Sequence, residues 1–131
     1  MKDTETSHFW IAHFPSVKRL AQYFVETYGE EDDEGEEMPI SQFARDQGEI
    51  FYDHDFLEYV FGKAGSSVEA IVAEASYHEQ WEVELARRAA DAPLRRMNAV
   101  VFISADQISE PRSVVGDRYE LRYVGTISYK I

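Results

Sequence analysis

The residues best placed to do chemistry stand together between Glu49 and Phe61, in the order Glu-Ile-Phe-Tyr-Asp-His-Asp-Phe-Leu-Glu-Tyr-Val-Phe. Asp53, His54, Asp55 and Glu58 are costly to bury without partners. Ile50, Phe51, Phe56, Leu57, Val60 and Phe61 can anchor in a core, so the segment belongs at the rim of a fold. In an extended chain Asp53 and Asp55 share a face and His54 opposes them. Two such carboxylates could hold a hard cation such as magnesium, although no further ligands are identifiable in the sequence. The same residues also describe an exposed turn, with Asp55 capping a turn that starts at Phe56, or an acidic edge that meets a protein. Tyr52 and Tyr59 flank the acids, and the apolar body and polar tip of tyrosine suit an interface.

Other reactive types are scattered. His8 and His13 lie five apart and point to opposite faces of an extended strand, and His78 stands alone, so none completes a site. Gly62-Lys63 resembles part of a phosphate-binding loop, but Leu57 stands where the pattern needs its first glycine and Ala64 where it needs Ser or Thr. There is no HExxH pair, GxSxG elbow or GxGxxG loop. With no cysteine there is no disulfide framework, thiolate nucleophile or thiolate metal site, which suits a reducing cytosol. Residues 1–7 lack the apolar core of a signal peptide, and no apolar run approaches the ~20 residues of a membrane span.

The elements that must position these residues are legible in outline. At 131 residues, 44% hydrophobic and 14% aromatic, the chain is long and apolar enough for one domain with a real core. Residues 8–14 read as a strand covered on both faces, preceded by a flexible N-terminus over 1–7. Ser16 caps a helix whose apolar stripe is Val17, Leu20, Ala21, Phe24, Val25 and Tyr28, closed by Gly29. Ser41 caps a short helical turn closed by Gly48. Glu49–Asp53 is expected as a short strand and Phe56–Phe61 as a helical turn or two. Ser67 caps a helix with Val68, Ile71, Val72 and Ala75 inward. A break at Ser76–His78 precedes a helix from Glu79 to Ala92, stopped by Pro93, with Trp81, Leu85 and Ala89 facing in.

Asn98–Ser104 is the strongest strand. A polar excursion over 105–118 leads to a strand at 119–129, with Tyr119, Leu121, Tyr123, Ile127 and Tyr129 on one face and a bulge at Gly125. The expected fold class is α+β: a single domain with a small mixed β-sheet of three to five strands and three to four helices. The last two strands are expected to be antiparallel neighbours. If the first and the Asn98 strands were parallel neighbours, their crossover would be right-handed.

The charge is unevenly placed. Of the net −12, residues 26–58 account for all, with 13 acids and one base, Arg45. Seven of the acids fall in the loop 30–37. Such a field repels nucleic acid and anionic membrane and draws basic partners, although an acidic loop can also serve solubility alone.

Several motifs taken in order carry a resemblance. Phe9-Trp10-Ile11-Ala12 precedes a Ser16-capped helix containing Gln22-Tyr23-Phe24. Ser41-Gln42-Phe43 leads to Tyr52-Asp53-His54-Asp55-Phe56-Leu57-Glu58. Ser76-Tyr77 stands before a helix, and Asn98-Ala99-Val100-Val101 and Leu121–Tyr129 close the pattern. From His8 to Tyr129 the chain resembles the immunity protein 22 family of bacterial polymorphic toxin systems. The resemblance implies one cytoplasmic, non-enzymatic α+β domain over 1–131, without cofactor or metal, that binds and neutralises a cognate toxin domain. Together with the charge map, it points to a basic partner, a nuclease as a hypothesis, and to contact through Asp53, Asp55, Glu58, Tyr59 and Tyr52, extended by Glu31, Asp32, Asp33 and Glu34. A monomer is the expected state. Two alternatives remain: a small metal-dependent enzyme using Asp53-His54-Asp55, and an oligomeric adaptor pairing through the strand at 119–129.

Overall fold

The computed structural model describes residues 3–29, 31, 33–92, 94 and 96–131. Its centre is β1 (Thr4–His13), whose residues alternate between two faces. Phe9 and Ile11 point into one apolar layer, and Trp10 and Ala12 into the other. All four are 0% exposed, so the sheet must be covered on both sides. The strand begins at Thr4, not His8: residues 4–7, expected to be flexible, pair with β5 (Glu120–Lys130).

The remaining strands are β2 (Leu57–Phe61), β3 (Ala99–Ser104) and β4 (Val114–Val115). They form one sheet in the order β2-β3-β1-β5-β4, antiparallel at every pairing. The α+β single domain is therefore as expected, but β1 and β3 are antiparallel, so no right-handed parallel crossover arises. Strands β3 and β5 are not neighbours either, because β1 lies between them and satisfies one edge of each.

Among the described residues four helices cover the faces. On one side, α1 (Val17–Tyr23) and α2 (Gln42–Asp46) bury Leu20, Tyr23 and Phe43 against Trp10 and Phe14. On the other, α3 (Val68–Ile71) and α4 (His78–Asp91) bury Ile71, Trp81 and Leu85 against Phe9 and Ile11. Ser16, Ser41 and Ser67 each accept a backbone N–H as N-caps. Among the described residues no helix is long and apolar enough to cross a membrane.

Four expectations fail locally. Helix α1 stops at Tyr23, and Val17, Val25 and Tyr28 are exposed. Phe24 leaves the helix to enter the core, where its ring stacks on Tyr59 at 4.3 Å; packing overrides the helical period. Residues 49–53 form no strand, and the expected helix at 56–61 is a 3₁₀ turn over His54–Phe56 followed by β2. Finally, β5 does not keep one apolar face. Phe9 pairs with Gly125 and Trp10 with Tyr123, leaving one residue extra in β5. That bulge flips the pleat. Leu121 and Tyr123 face the α1/α2 layer, whereas Ile127 and Tyr129 face the α3/α4 layer.

The bulge is held by α4. Arg88 donates to the carbonyls of Val124 (3.0 Å) and Thr126 (2.7 Å) on the outer edge of β5. Gly125 has φ +97, and a Cβ there would lie 2.9 Å from the Arg88 guanidinium. Gly125→Ala is therefore expected to destabilise the fold by about 1–3 kcal/mol through backbone strain and displacement of Arg88. Urea unfolding of the two proteins checks this; equal midpoints and slopes would show that the bulge tolerates a side chain.

Candidate functional site

The acidic stretch sits at one corner of the sheet, where the chain enters the edge strand β2. Its entry is fixed by three tethers. Tyr52 is 1% exposed, and its hydroxyl lies 3.1 Å from Ser41 Oγ. The Asp53 N–H donates to Gln107 Oε1 at 2.8 Å. Asp53 Oδ1 accepts the Asp55 N–H at 3.0 Å and so caps the 3₁₀ turn. The capping acid is thus Asp53 rather than Asp55. Ile50, Phe51 and Phe56, expected as anchors, are all exposed; Tyr52 is the true anchor, and Phe61 is half-buried.

Tyr52, expected among the contacts, is buried in the core. Asp55 and His54 are well exposed, with side-chain accessibilities of 78% and 62% and His54 Nε2 3.2 Å from Asp55. Tyr59 and Glu58 are adjacent in a strand and therefore lie on opposite faces. Tyr59 stacks on Phe24 in the α1/α2 layer, while Glu58 reaches the other face and accepts the Ser76 N–H at 2.8 Å. The predicted residues come to one corner but not to one surface.

Two grooves flank β2 there. On the α1/α2 side, Phe24, Glu26, Tyr28, His54, Leu57 and Tyr59 line a hollow of about 290 Å³. Glu26 and Tyr28 were not foreseen, because the helical period placed Tyr28 in a core stripe; it is 57% exposed beyond the end of α1. His54 Nδ1 lies 3.5 Å from Glu26, and the Tyr28 hydroxyl donates to the same carboxylate. On the α3/α4 side a second groove of about 240 Å³ is lined in part by Asp55, Phe56, Glu58, Tyr77 and Tyr129. Tyr77 holds a left-handed φ of +58 at the turn into α4, the break foreseen at Ser76–His78.

The acidic loop is rooted beside the same corner. The Thr27 N–H donates to Ile40 O and the Ile40 N–H to Ile50 O, which ties the base of the loop to the segment leading into Asp53. Glu31 bridges Glu37 across the loop. Asp33 and Glu34 are exposed; Asp32 and Pro93 lie outside the described residues.

Asp53, His54 and Asp55 each offer a ligand atom, all within 4.8 Å of one another. With one atom from each, these three residues supply half of an octahedral shell, and Asp53 Oδ1 already accepts a backbone N–H. The arrangement suits a water-facing acidic knob better than a cation cage. Elsewhere, His8 is 7% exposed. Its Nε2 faces the carbonyls of Ala105 and Ile108 at 3.1 and 3.0 Å, so it carries the proton, and Nδ1 accepts from the Tyr123 hydroxyl at 2.8 Å when the ring is neutral. That histidine pins the turn after β3.

The hydrogen bond to Glu26 raises Tyr28 to about 12, with burial and the nearby carboxylates, including Asp53 and Asp55, adding to it. A raised phenol holds its proton longer in the folded state. Its stabilising contribution is complete below the ordinary value near 10 and is lost as pH rises through about 12. Glu26→Gln is expected to return Tyr28 toward 10. Phenolate absorbance, taken as the difference from a Tyr28→Phe background, reads the change; an unchanged titration would show that the two side chains do not meet.

Neither the curated proteins nor the solved structures contain a match to this chain. The family model described as Immunity protein 22 matches residues 8–130. That span runs from the buried His8 of the central strand to the end of β5 and takes in the whole acidic corner, so the chain belongs to the immunity protein 22 family.

Proposed function

We propose that this protein is an immunity protein that binds a cognate toxin domain in the cytoplasm of the producing cell and blocks it through the acidic corner at the start of β2. The observation that carries this reading is the meeting of carboxylates from separate segments. Glu26 follows α1 and Asp53 and Asp55 precede β2, yet His54 is 3.5 Å from Glu26 and 3.2 Å from Asp55. Family membership supports the immunity role. The charge supports a basic partner, and a nuclease fits because such enzymes hold phosphate with Lys and Arg. An inhibitor that presents carboxylates to that surface gains most in association rate. The inhibitor itself works by occupancy and needs no catalytic residue, cofactor or metal. Asp55, Glu58 and Tyr59 are the proposed contacts, with Asp53 shaping the turn. The loop acids Glu31, Asp33 and Glu34 extend the field, which acts over about 8–10 Å at physiological salt. A monomer suits this role.

The test is the triple variant Asp53→Asn, Asp55→Asn, Glu58→Gln. The amides keep the acceptors for the Asp55 and Ser76 N–H groups while removing three charges. Against the toxin domain encoded beside this chain's gene, the association rate at low salt is expected to fall about tenfold or more, with thermal unfolding little changed. Stopped-flow binding across a salt series measures it; an unaltered rate and affinity would remove the acidic corner from the interface.

A further inference from the structure

The sheet has two edges, and among the described residues they are finished differently. At the β4 side, β5 is covered by β4 at Leu121 and Glu120, by Ser113 Oγ accepting the Tyr123 N–H, and by Arg88 on the carbonyls of Val124 and Thr126. At the other side, β2 runs Leu-Glu-Tyr-Val-Phe with no proline, lysine or bulge; its one charge, Glu58, is turned to the α3/α4 face, where it accepts the Ser76 N–H.

The direction of its main-chain groups follows from the register. The Gly62 N–H donates to Asn98 O, so the pairs Val60/Val100 and Glu58/Phe102 exchange hydrogen bonds with β3. The alternate residues Leu57, Tyr59 and Phe61 turn theirs outward. Consistently, the Leu57 N–H bonds back to His54 O, away from β3. By the same register the main-chain groups of Tyr59 and Phe61 point away from β3. Leu57 O and the N–H and C=O groups of Tyr59 and Phe61 form a ready ladder.

The surroundings of that ladder are anionic and side-chain-sized. A strand laid along β2 would send alternate side chains to the two faces, one toward Glu26, Tyr28 and His54, the next toward Asp55, Glu58 and Tyr77. Both hollows fall at or below the smallest usual size of small-molecule pockets. Neither is lined by Lys or Arg among the described residues. Carboxylates beside aromatic rings suit a lysine or arginine side chain.

We infer that an extended, Lys- and Arg-bearing segment of the cognate toxin adds to the edge of β2 as a sixth strand, its alternate basic side chains seated in the two acidic grooves. This rests on the proposed immunity function and specifies how the partner is held: main-chain bonds provide the grip and the grooves select the charge.

Amide hydrogen exchange resolved by residue, with and without the toxin domain encoded beside this chain's gene, tests it. In the free protein the Tyr59 and Phe61 amides are expected to exchange near the unstructured rate, while Glu58 and Val60 are protected. In the complex Tyr59 and Phe61 are expected to slow by about a hundredfold or more. Tyr59→Pro removes the outward N–H and the ring, whereas Tyr59→Ala removes the ring alone. Proline is expected to weaken binding about tenfold beyond alanine. A complex in which both amides stay fast overturns the strand pairing and leaves the immunity reading standing. Absence of any complex overturns both. Protection already present in a free protein of twice the chain mass would assign the edge to a second copy instead.

Discussion

Burial of β1 on both faces is the constraint on which the remaining structure depends. Phe9 and Ile11 on one side, and Trp10 and Ala12 on the other, are all 0% exposed. A strand in that position cannot slip by one residue without exchanging its entire side-chain set between two differently shaped layers. Its neighbours β3 and β5 supply the hydrogen bonds on both edges. Each layer then needs its own helical cover, which is why small capped helices recur along the chain. Rings provide much of the fit. Phe9 stacks on Phe102 at 5.0 Å, and Phe14 stacks on Tyr119 at 5.5 Å. The polar tips of that second group are also satisfied: Tyr23 and Tyr119 both donate to Asp46 Oδ2, at 2.8 and 2.7 Å. Burial, with the Asp46 carboxylate adding to it, raises both phenols, which stay neutral donors throughout the physiological range.

A two-sided sheet creates a problem at its margins, since each outer strand must end the ladder. The β5 side resolves it with β4 and with a guanidinium that serves two carbonyls at once. Arg88 is itself set by Glu84, whose carboxyl is held down to about 2 by hydrogen bonds from Arg87 and Arg88. The bulge at Gly125 makes this possible, because it turns the strand so that α4 can reach its edge. Nothing equivalent guards β2 among the described residues. The asymmetry means that one margin of the sheet is covered by β4 and Arg88, while at the other the register turns the main-chain groups of Tyr59 and Phe61 outward beside carboxylates.

What the sequence disclosed depended on whether a signal was local. The serine caps at 16, 41 and 67, the turn at Gly48, the break before α4 and the apolar run of β3 all rest on neighbouring residues, and they stand where the chain order places them. Errors came where a distant partner decided. Val25 and Tyr28 continue a helical period, but Phe24 is drawn out of the helix by Tyr59, thirty-five positions away. The bulge at Gly125 is legible in the sequence, but the alternation of β5 reads straight through it as one face, and the pairing with Phe9 and Trp10 shows that the faces exchange there. The same holds for the site. Asp53 and Asp55 stood out as acids, yet Glu26 and Tyr28 entered the corner only through the early end of α1, and Tyr52 is buried as an anchor.

Under the proposed function, the acidic corner and the open edge would answer different physical demands of inhibition. Carboxylate fields reach beyond contact distance and bring partners together quickly, but exposed ion pairs contribute little once formed, commonly under ~1 kcal/mol each. Residence time needs something shorter in range and harder to screen. Main-chain hydrogen bonds meet that need, because neither partner must order a long side chain to make them. A corner that joins both would combine rapid capture with slow release. It would also allow the charged residues to change with the toxin while the ladder of Leu57, Tyr59 and Phe61 is kept, since backbone pairing is indifferent to which side chains it carries. Within this chain the division is visible in the hydrogen bonding. Asp55 points to water, whereas β2 is fixed to β3 through Glu58 and Val60 and anchored by Tyr59 on Phe24. The exposed charge therefore hangs from a rigid edge.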